Sequence, residues 1–305
     1  RLLDAVRAFS GENIGIDATN EGKVRLTSAG ATLTLPTDAV DAYPTLPDTD
    51  VGDVPEVDAK ALAHQFAQAL VAVSYDGSRP NLNGVFVRPH GKGAIMGGTD
   101  GPRLGTVSAE WGESDVHRAI GDSGMLVPTA GVGAIKRVLE NGGATPARLA
   151  LKGDGATFLT VECGRTTVSV RLIDAAFPDY RQVIPKSTAR TLTLMKVVVV
   201  SALRRAAVVS SERTHGVRFH INGNKIVITT DNPDLGNSSE TLTAHQTEGD
   251  EGDLHIAFNA KYVTDVLSVV DSEDVRFSFN EALSPGIVRN ADNEDLKCIL
   301  MPMRI

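Results

Sequence analysis

The chain has 305 residues, of which 42% are hydrophobic and 22% are charged, so it is a folded protein with room for two or three domains. Its formal net charge of −8 disfavours a broad basic surface but allows a basic lining within an acidic exterior. Its two cysteines are too few for a disulfide framework, and its apolar runs fall far short of the roughly 20 residues that span a membrane, which predicts a reduced, cytoplasmic protein.

The first predicted unit is an amphipathic helix followed by two or three strands, and it occurs three times. This unit, called module A, covers residues 1–36, 131–173 and 259–290. Each copy opens with apolar residues at helical spacing, such as Leu2, Val6 and Phe9, and continues with alternating polar and apolar residues between glycine-containing turns. The class is therefore α+β, built from repeated helix-plus-antiparallel-sheet modules.

A second unit, called module B, alternates with the first and covers residues 59–110 and 195–245. Both copies predict a helix, a serine-rich turn, a strand, a glycine hairpin and a strand that ends in Thr-Asp. The order along the chain is A, B, A, B, A. We expect a further module B to precede Arg1 in the native protein, because a lone module A would leave its helix and strand edge uncovered. The alternative is that residues 1–50 form a small appendage.

Proline-punctuated connections predict the domain boundaries. YPTLP at 43–47 and FPDYRQVIP at 177–185 occupy equivalent places in the repeat. They divide the chain into a partial N-terminal domain at 1–52, a middle domain at 53–189 and a C-terminal domain at 190–305.

The sequence contains no recognisable catalytic arrangement. Its 7 histidines form no HExxH pair, and no serine lies in a G-x-S-x-G turn. The glycine cluster at 91–98 lacks the Lys-Thr/Ser of a phosphate loop and predicts a hairpin. We therefore predict no catalytic residue, no metal and no cofactor. A hydrolase on a repeat scaffold, which is one alternative, would need a clustered acid–base pair that the sequence does not show.

Five segments, in order along the chain, carry a family resemblance. They are TDGPRLG at 99–105, FPDYRQVIP at 177–185, HGVRF at 215–219, FNAKYVTDVL at 258–267 and MPMRI at 301–305, with weaker agreement from LNGVF at 82–86 and YPTLP at 43–47. Together they resemble the sliding clamp of bacterial DNA polymerase III, its beta subunit. The resemblance covers the middle and C-terminal domains fully and only the second half of the N-terminal domain.

The resemblance implies a DNA clamp fold that forms a ring-shaped homodimer, with helices around the hole and sheets outside. It implies that strands near Thr27–Leu35 of one copy lie beside Asn237–His245 of the other, with Val208 and Val209 packed at the junction. The implied function is that of a processivity factor that encircles duplex DNA without reading its sequence. The implied partners are the replicative polymerase catalytic subunit, a clamp loader and other proteins that carry a clamp-binding motif.

Basic residues occur at corresponding places on the module helices, and in a ring they face the hole. The predicted DNA-binding residues are Arg7, Arg79, Asn81, Lys136, Arg137, Arg204 and Arg205. Phosphate contacts of this kind are independent of sequence and sensitive to salt. In an arbitrary protein the same residues would more often form a solvated helix face, and the turn that holds Arg79 and Asn81 could equally be only a turn.

The resemblance also implies a peptide-binding groove between the middle and C-terminal domains. The matching positions are Leu82, Thr99, Gly101, Pro102, Arg103, Leu104, Pro178, Gln182, Val183, Thr214, Asn259, Tyr262, Leu283, Pro285, Ile299, Leu300, Met301, Pro302, Met303 and Arg304. Aliphatic and methionine side chains suit an adaptable pocket, in which Arg103 and Asn259 would fix a peptide backbone. The competing interpretation is that the MPMRI tail is only a last edge strand.

Three groove positions depart from the family pattern: Pro102 replaces a usual His, Gln182 a common Arg, and Thr214 a larger apolar residue. These changes leave the motif preference open. They also motivate an alternative function, a clamp-fold paralogue that acts as a peptide-binding decoy or drug-tolerant variant and does not encircle DNA.

Overall fold

The computed structural model describes residues 1–20, 22–43, 48–54, 56–111, 120 and 123–304. Most of the predicted connection YPTLP (residues 44–47) and the last residue of the tail, Ile305, lie outside this range. The chain divides into two compact units, Arg1–Pro47 and Asp48–Ile305, and each is described by itself. The predicted boundaries at 52 and 189 remain predictions.

The first unit is one module A. Helix α1 (Leu2–Ala8) precedes an antiparallel sheet of β1 (Gly15–Asn20), β2 (Lys23–Ser28) and β3 (Ala31–Pro36), in that order. Leu26 on the central strand is fully buried, whereas β3 has no buried residue and is an edge strand of this sheet.

The second unit contains the other four modules, which form two pairs of one module B and one module A each. The longer α-helices that the structure describes in it are α2 (Ala59–Leu70), α3 (Thr129–Asn141), α4 (Lys196–Val208) and α5 (Ala260–Leu267). The strands of its first module pair are β4 (Glu56–Val57), β5 (Gly84–His90), β6 (Gly93–Thr99), β7 (Arg103–Glu110), β8 (Met125–Pro128), β9 (Ala147–Lys152), β10 (Phe158–Cys163) and β11 (Thr166–Arg171). Those of the second are β12 (Arg190–Met195), β13 (Gly216–Asn222), β14 (Lys225–Asn232), β15 (Gly236–Thr243), β16 (Gln246–Gly249), β17 (Leu254–Asn259), β18 (Asp274–Phe279), β19 (Gly286–Asn290) and β20 (Leu296–Leu300).

The two modules of each pair interlock through the strand that precedes each helix. In the first pair β4 joins β9 of the opposite module and β8 joins β5, while in the second pair β12 joins β18 and β17 joins β13. Each helix pair, α2 with α3 and α4 with α5, packs together over these sheets. This exchange covers the open strand edges that separate modules would expose.

Helix α2 shows why the helices lie where they do. The Asp58 carboxylate accepts a hydrogen bond from the Ala61 amide at 2.8 Å and caps its N-terminus. Leu62 and Phe66 are fully buried on its inner face. A Cβ at Gly98 would lie 2.6 Å from the Ala69 carbonyl oxygen, so only glycine lets β6 approach the helix this closely.

One sheet of nine strands crosses from the first module pair to the second, in the order β16-β12-β18-β19-β20-β7-β6-β5-β8. The crossing is the antiparallel pairing of β20 with β7, which runs from Leu296 opposite Val107 to Leu300 opposite Arg103. Two four-stranded sheets, β11-β10-β9-β4 and β15-β14-β13-β17, complete the second unit. No helix of the described residues is long and apolar enough to cross a membrane.

Candidate functional site

A pocket of about 190 Å³ lies beside the β7–β20 crossing and is called the groove pocket. Its lining residues are Leu82, Thr99, Gly101, Arg103, Leu104, Pro178, Asp179, Tyr180, Val183, Ile299 and Met301. All of them except Asp179 and Tyr180 are residues that the sequence predicted for the groove. The two that were missed lie within the predicted segment FPDYRQVIP, where their neighbours Pro178 and Val183 had been selected.

The turn between β6 and β7 forms one wall of the groove pocket. The Thr99 hydroxyl accepts a hydrogen bond from the Gly101 amide at 3.1 Å and donates one to the Arg103 carbonyl at 2.6 Å. Asp100 accepts from the Arg103 amide at 3.1 Å. Gly101 has a φ of 106°, which residues with a Cβ rarely adopt. These hydrogen bonds and the conformation of Gly101 therefore fix the shape of the TDGPR turn without a ligand.

The floor of the groove pocket is apolar. Leu104 on β7 pairs with Ile299 on β20, and both are buried with Tyr180 and Ile287. The ring of Phe177 stacks on Phe86 beside this cluster at a centroid distance of 4.9 Å. Strand pairing across the two module pairs thus forms a rigid aliphatic and aromatic base.

Arg103 joins the two module pairs. Its Nε lies 2.9 Å from Asp100 and its Nη1 lies 2.7 Å from Asp265 on α5, while its guanidinium stacks over the Tyr262 ring at 4.5 Å. Burial opposes the charge of Arg103, but hydrogen bonds to Asp265 and Asp100 outweigh it and raise the pKa above its ordinary value. The guanidinium therefore already has two partners, and its predicted contact with a peptide backbone remains a hypothesis.

The C-terminal tail lies across the same crossing. The Met301 amide donates to the Pro102 carbonyl at 2.8 Å, and the Met303 amide donates to the Ala257 carbonyl at 2.7 Å. Leu300, just before the tail, is buried in the main core. The tail is therefore not a simple edge strand, because its amides bond to both module pairs.

The remaining predicted groove residues do not line the groove pocket. Asn259 caps α5 through its side-chain oxygen and donates to the Thr214 carbonyl at 3.1 Å, so its amide is occupied. The side-chain amide of Gln182 donates a hydrogen bond to the Asp179 carboxylate at 3.4 Å. Leu283, Met303 and Arg304 line a separate depression on the second module pair. Outside both cavities lie Pro102, Gln182, Thr214, Asn259, Tyr262, Pro285, Leu300 and Pro302.

The predicted DNA-binding residues on α3 and α4 differ in their exposure and in whether a carboxylate pairs with their charge. Arg137 on α3 and Arg204 on α4 are exposed, and Lys136 is half-buried. Arg205 is also exposed, but its Nε and Nη2 lie 2.7 Å and 2.8 Å from the two carboxylate oxygens of Glu240 on β15. The charge of Arg205 is thus compensated within the chain.

The other three predicted DNA-binding residues lie apart from those helices. Arg7 is exposed in the last turn of α1. Arg79 lies 3.2 Å from Asp76 and donates to the Asp100 carbonyl at 3.2 Å, so it adjoins the turn of the groove pocket. Asn81 lies in the short helical turn Pro80–Leu82. Within the described part of the chain, no three His, Cys, Asp or Glu side chains form a group that could hold a metal.

The comparisons with known proteins agree with this architecture. Residues 56–179 match the model of the central domain of the DNA polymerase III beta subunit, and residues 181–304 match that of its C-terminal domain. The beta sliding clamp of Escherichia coli K12 is 30% identical over 254 residues, which are 83% of this chain and 65% of that protein. The chain thus spans slightly less than two thirds of that relative's length.

Longer matches are also found. The beta sliding clamp of Pseudomonas aeruginosa is 28% identical over all of this chain and 80% of its own length. A crystal structure of the DNA polymerase III beta subunit from that organism superposes on the whole chain with a TM-score of 0.84 at 25% identity, over 80% of its length. The duplicated α+β modules are thus the clamp fold. The chain belongs to the family of the bacterial DNA polymerase III beta subunit.

Proposed function

We propose that this protein is a processivity clamp, which encircles duplex DNA and tethers the replicative DNA polymerase without catalysing a reaction itself. The observation that carries the proposal is the β7–β20 crossing, because it joins successive module pairs edge to edge into one sheet. A chain of such joints closes on itself only if the equivalent outer strands that remain also find partners.

The repeat identifies two of the edges that need partners. β3 is the third strand after α1, as β20 is after α5, and β15 is the third strand after α4, as β7 is after α2. Both strands are edges in this structure, and Val208 next to β15 is 76% exposed. A second copy that pairs its β3 with this β15 would repeat the β20–β7 joint between subunits. The proposed assembly is therefore a two-fold homodimer.

The proposed DNA contacts are weak and few. Arg137, Arg204 and Lys136 offer positive charge on the helices, which is enough to hold phosphates without reading bases. A closed ring needs little more, since it leaves DNA by opening or by sliding off an end. Its loading would require a separate clamp loader.

The groove pocket is the proposed site at which the polymerase and other partners attach to the clamp. Its apolar floor, preformed turn and tail suit a short peptide with a glutamine followed by spaced leucine and phenylalanine side chains. Such a segment would come from the polymerase, the loader or other replication and repair proteins. Affinity should be micromolar, because a flexible segment loses ordering entropy when it binds.

The test is retention on circular DNA. The full-length protein is loaded onto nicked circular DNA with a clamp loader, and bound protein is separated by gel filtration in moderate salt. We expect retention on the circle and release when a restriction enzyme linearises it, because the link is topological. Equal retention on linear and circular DNA would contradict encirclement and favour ordinary binding.

A further inference from the structure

The two module pairs of the second unit are joined on two levels. The first level is the backbone pairing of β7 with β20 in the shared sheet. The second level consists of side-chain bridges that run from the first module pair to α5 and to the turn that follows it. Because a sheet twists along its row of strands, the second level is what fixes one angle between the module pairs.

Asp271 is the centre of the second level. Its carboxylate lies 2.8 Å from Nε2 of His64 and accepts a hydrogen bond from the Gln68 side-chain amide at 2.9 Å. His64 and Gln68 are four residues apart on α2, so they share one face of that helix. The Gln68 amide also donates to the Val269 carbonyl at 3.1 Å. A helix of one module pair and a turn of the other thus meet at a single carboxylate.

The bridges are complementary in polarity. The side chains on the first module pair are cationic or donate hydrogen bonds, and the groups that they meet on the second pair are carboxylates or a carbonyl. Arg103 extends the same arrangement, because its Nη1 lies 2.7 Å from Asp265 on α5. We call this set the helix seam, and its residues are His64, Gln68, Arg103, Asp265, Val269 and Asp271.

The groups of the helix seam differ in their access to water. Gln68 is only 4% exposed, whereas the side chains of His64 and Asp271 are each 51% exposed. The turn itself is anchored, since the Asp271 amide donates to Oδ1 of the buried Asn290 at 3.0 Å. Water can therefore compete for the Asp271 carboxylate, but its loss removes one of two acceptors from the buried amide of Gln68.

We propose that the helix seam is a conformational latch that holds one angle between the module pairs, with Asp271 as the contact that releases it. The consequence for DNA rests on the proposed clamp function. In a ring, a gap at a subunit joint widens only as the neighbouring modules turn, so a stiff seam resists opening and a released seam eases it. The helix seam thus helps to set how long a closed ring stays on DNA.

The chain provides a matched control for Asp271. Nε2 of His245 lies 3.2 Å from Asp274, and these two side chains are 48% and 38% exposed. Both residues belong to the second module pair. Asp274→Ala therefore removes a similar His–Asp contact without touching the helix seam.

The first experiment measures the distance between the module pairs by double electron–electron resonance. Spin labels are attached at Lys60→Cys on α2 and Lys261→Cys on α5, which are exposed positions, while the two native cysteines are buried. Excess unlabelled protein ensures that each assembly carries one labelled copy. Asp271→Ala should broaden the distance distribution about twofold, because the seam no longer holds one angle. Asp274→Ala should leave it unchanged.

The second experiment measures the lifetime of the full-length protein on nicked circular DNA after loading. Asp271→Ala should shorten the lifetime about threefold, which is within the range of one half-exposed ion pair. Asp271→Asn keeps an oxygen acceptor for Gln68 and should restore part of the lifetime. Asp274→Ala should match the native protein.

Four outcomes would overturn parts of the inference. A distance distribution that Asp271→Ala leaves unchanged would refute the latch. Equal broadening in both aspartate variants would refute it too, because a general loss of stability would then explain the result. Broadening with an unchanged lifetime would refute the role in ring opening. Failure of the native protein to stay on circular DNA would refute the clamp function and the claim about lifetime, while the distance measurement would still decide the latch.

Discussion

The same module strand is interior at one place in this protein and exposed at another. β20 pairs with β7, and four of its five residues are buried. β15 occupies the place of β7 in the second module B, yet only Leu242 on it is buried. β3 occupies the place of β20 and has no buried residue. The difference lies in the neighbour rather than in the module, because a strand becomes interior only where another edge is present to cover it.

The composition of the two corresponding strands follows that difference. β15 places Ser238, Ser239 and Glu240 in succession, which keeps an unpaired edge compatible with water, whereas β7, its counterpart at the crossing, carries the buried Leu104 and Val107. A joint between copies built on β15 would therefore bury less apolar surface than the joint within the chain. We expect the proposed ring to open between subunits rather than at the β7–β20 crossing.

The largest expected effect comes from the tail that lies across the crossing. Deleting Met301–Ile305 removes one wall of the groove pocket and the amides that bond to Pro102 and Ala257. Peptide binding should fall below detection by anisotropy. The melting curve should move little, since β20 itself ends at Leu300. An affinity within twofold of that of the intact protein would place the peptide site elsewhere.

The next effect concerns the exposed edge. Val208→Asp puts a charge beside β15, and it should raise the dimer dissociation constant at least tenfold, or ~1.4 kcal/mol, if that edge is a subunit joint. Val197→Asp is the matched control, because Val197 is a comparably exposed valine, 62% against 76%, on the same helix. Sedimentation velocity measures the dimer dissociation constant of both variants. Equal behaviour of the two variants would argue against the β3–β15 joint.

Arg103 should be the most sensitive side chain of the interior crossing. Arg103→Met would leave Asp100 and Asp265 without their partner, which costs about 1–3 kcal/mol for partly buried groups. Arg79→Met serves as the control, since Arg79 also contacts Asp100 but is 48% exposed, and it should cost under about 0.5 kcal/mol. Urea denaturation of both variants measures the difference. Similar midpoints for the two would show that the Arg103 contacts contribute little.

DNA retention should distinguish the two helix arginines. Arg137→Ala removes an uncompensated charge and should weaken retention at moderate salt, lowering the salt dependence by about one counterion. Arg205→Ala should weaken it less, because the Glu240 carboxylate already matches that charge. Retention over a salt series, with the dimer verified for each variant, provides the comparison. A larger effect for Arg205 would mean that its ion pair opens on DNA.

The smallest expected effect is a pH dependence of the stability contributed by the Arg205–Glu240 ion pair at the exposed edge strand β15. The hydrogen bond from Arg205 lowers the pKa of Glu240 below its ordinary value of 4.5. The pair therefore contributes stability above that value and loses it as pH falls through the lowered pKa. The difference in melting temperature between the native protein and Glu240→Gln should be present at neutral pH and should shrink as the pH falls below 4.5. A difference that persists in acid would have another origin.

Local patterns were sufficient to predict the modules and their family. Apolar spacing and glycine turns predicted the helices and hairpins, and the five quoted segments predicted the clamp fold, which the comparisons confirmed. Most of the groove pocket was predicted in the same way. Asp179 and Tyr180 were missed because nothing local distinguishes a lining side chain from its neighbours within FPDYRQVIP.

The tertiary structure alone decided which partner each of these groups meets. Arg103 and Asp265 are 162 positions apart, so no local pattern reveals that the guanidinium is already paired. The same holds for Arg205 with Glu240, and for Leu283, Met303 and Arg304, which line a separate depression rather than the groove pocket. Periodicity is a property of neighbours along the chain, and it sets which face of an element is buried. Charge compensation and pocket membership depend on neighbours in space, and only the packing of the interlocked modules brings those together.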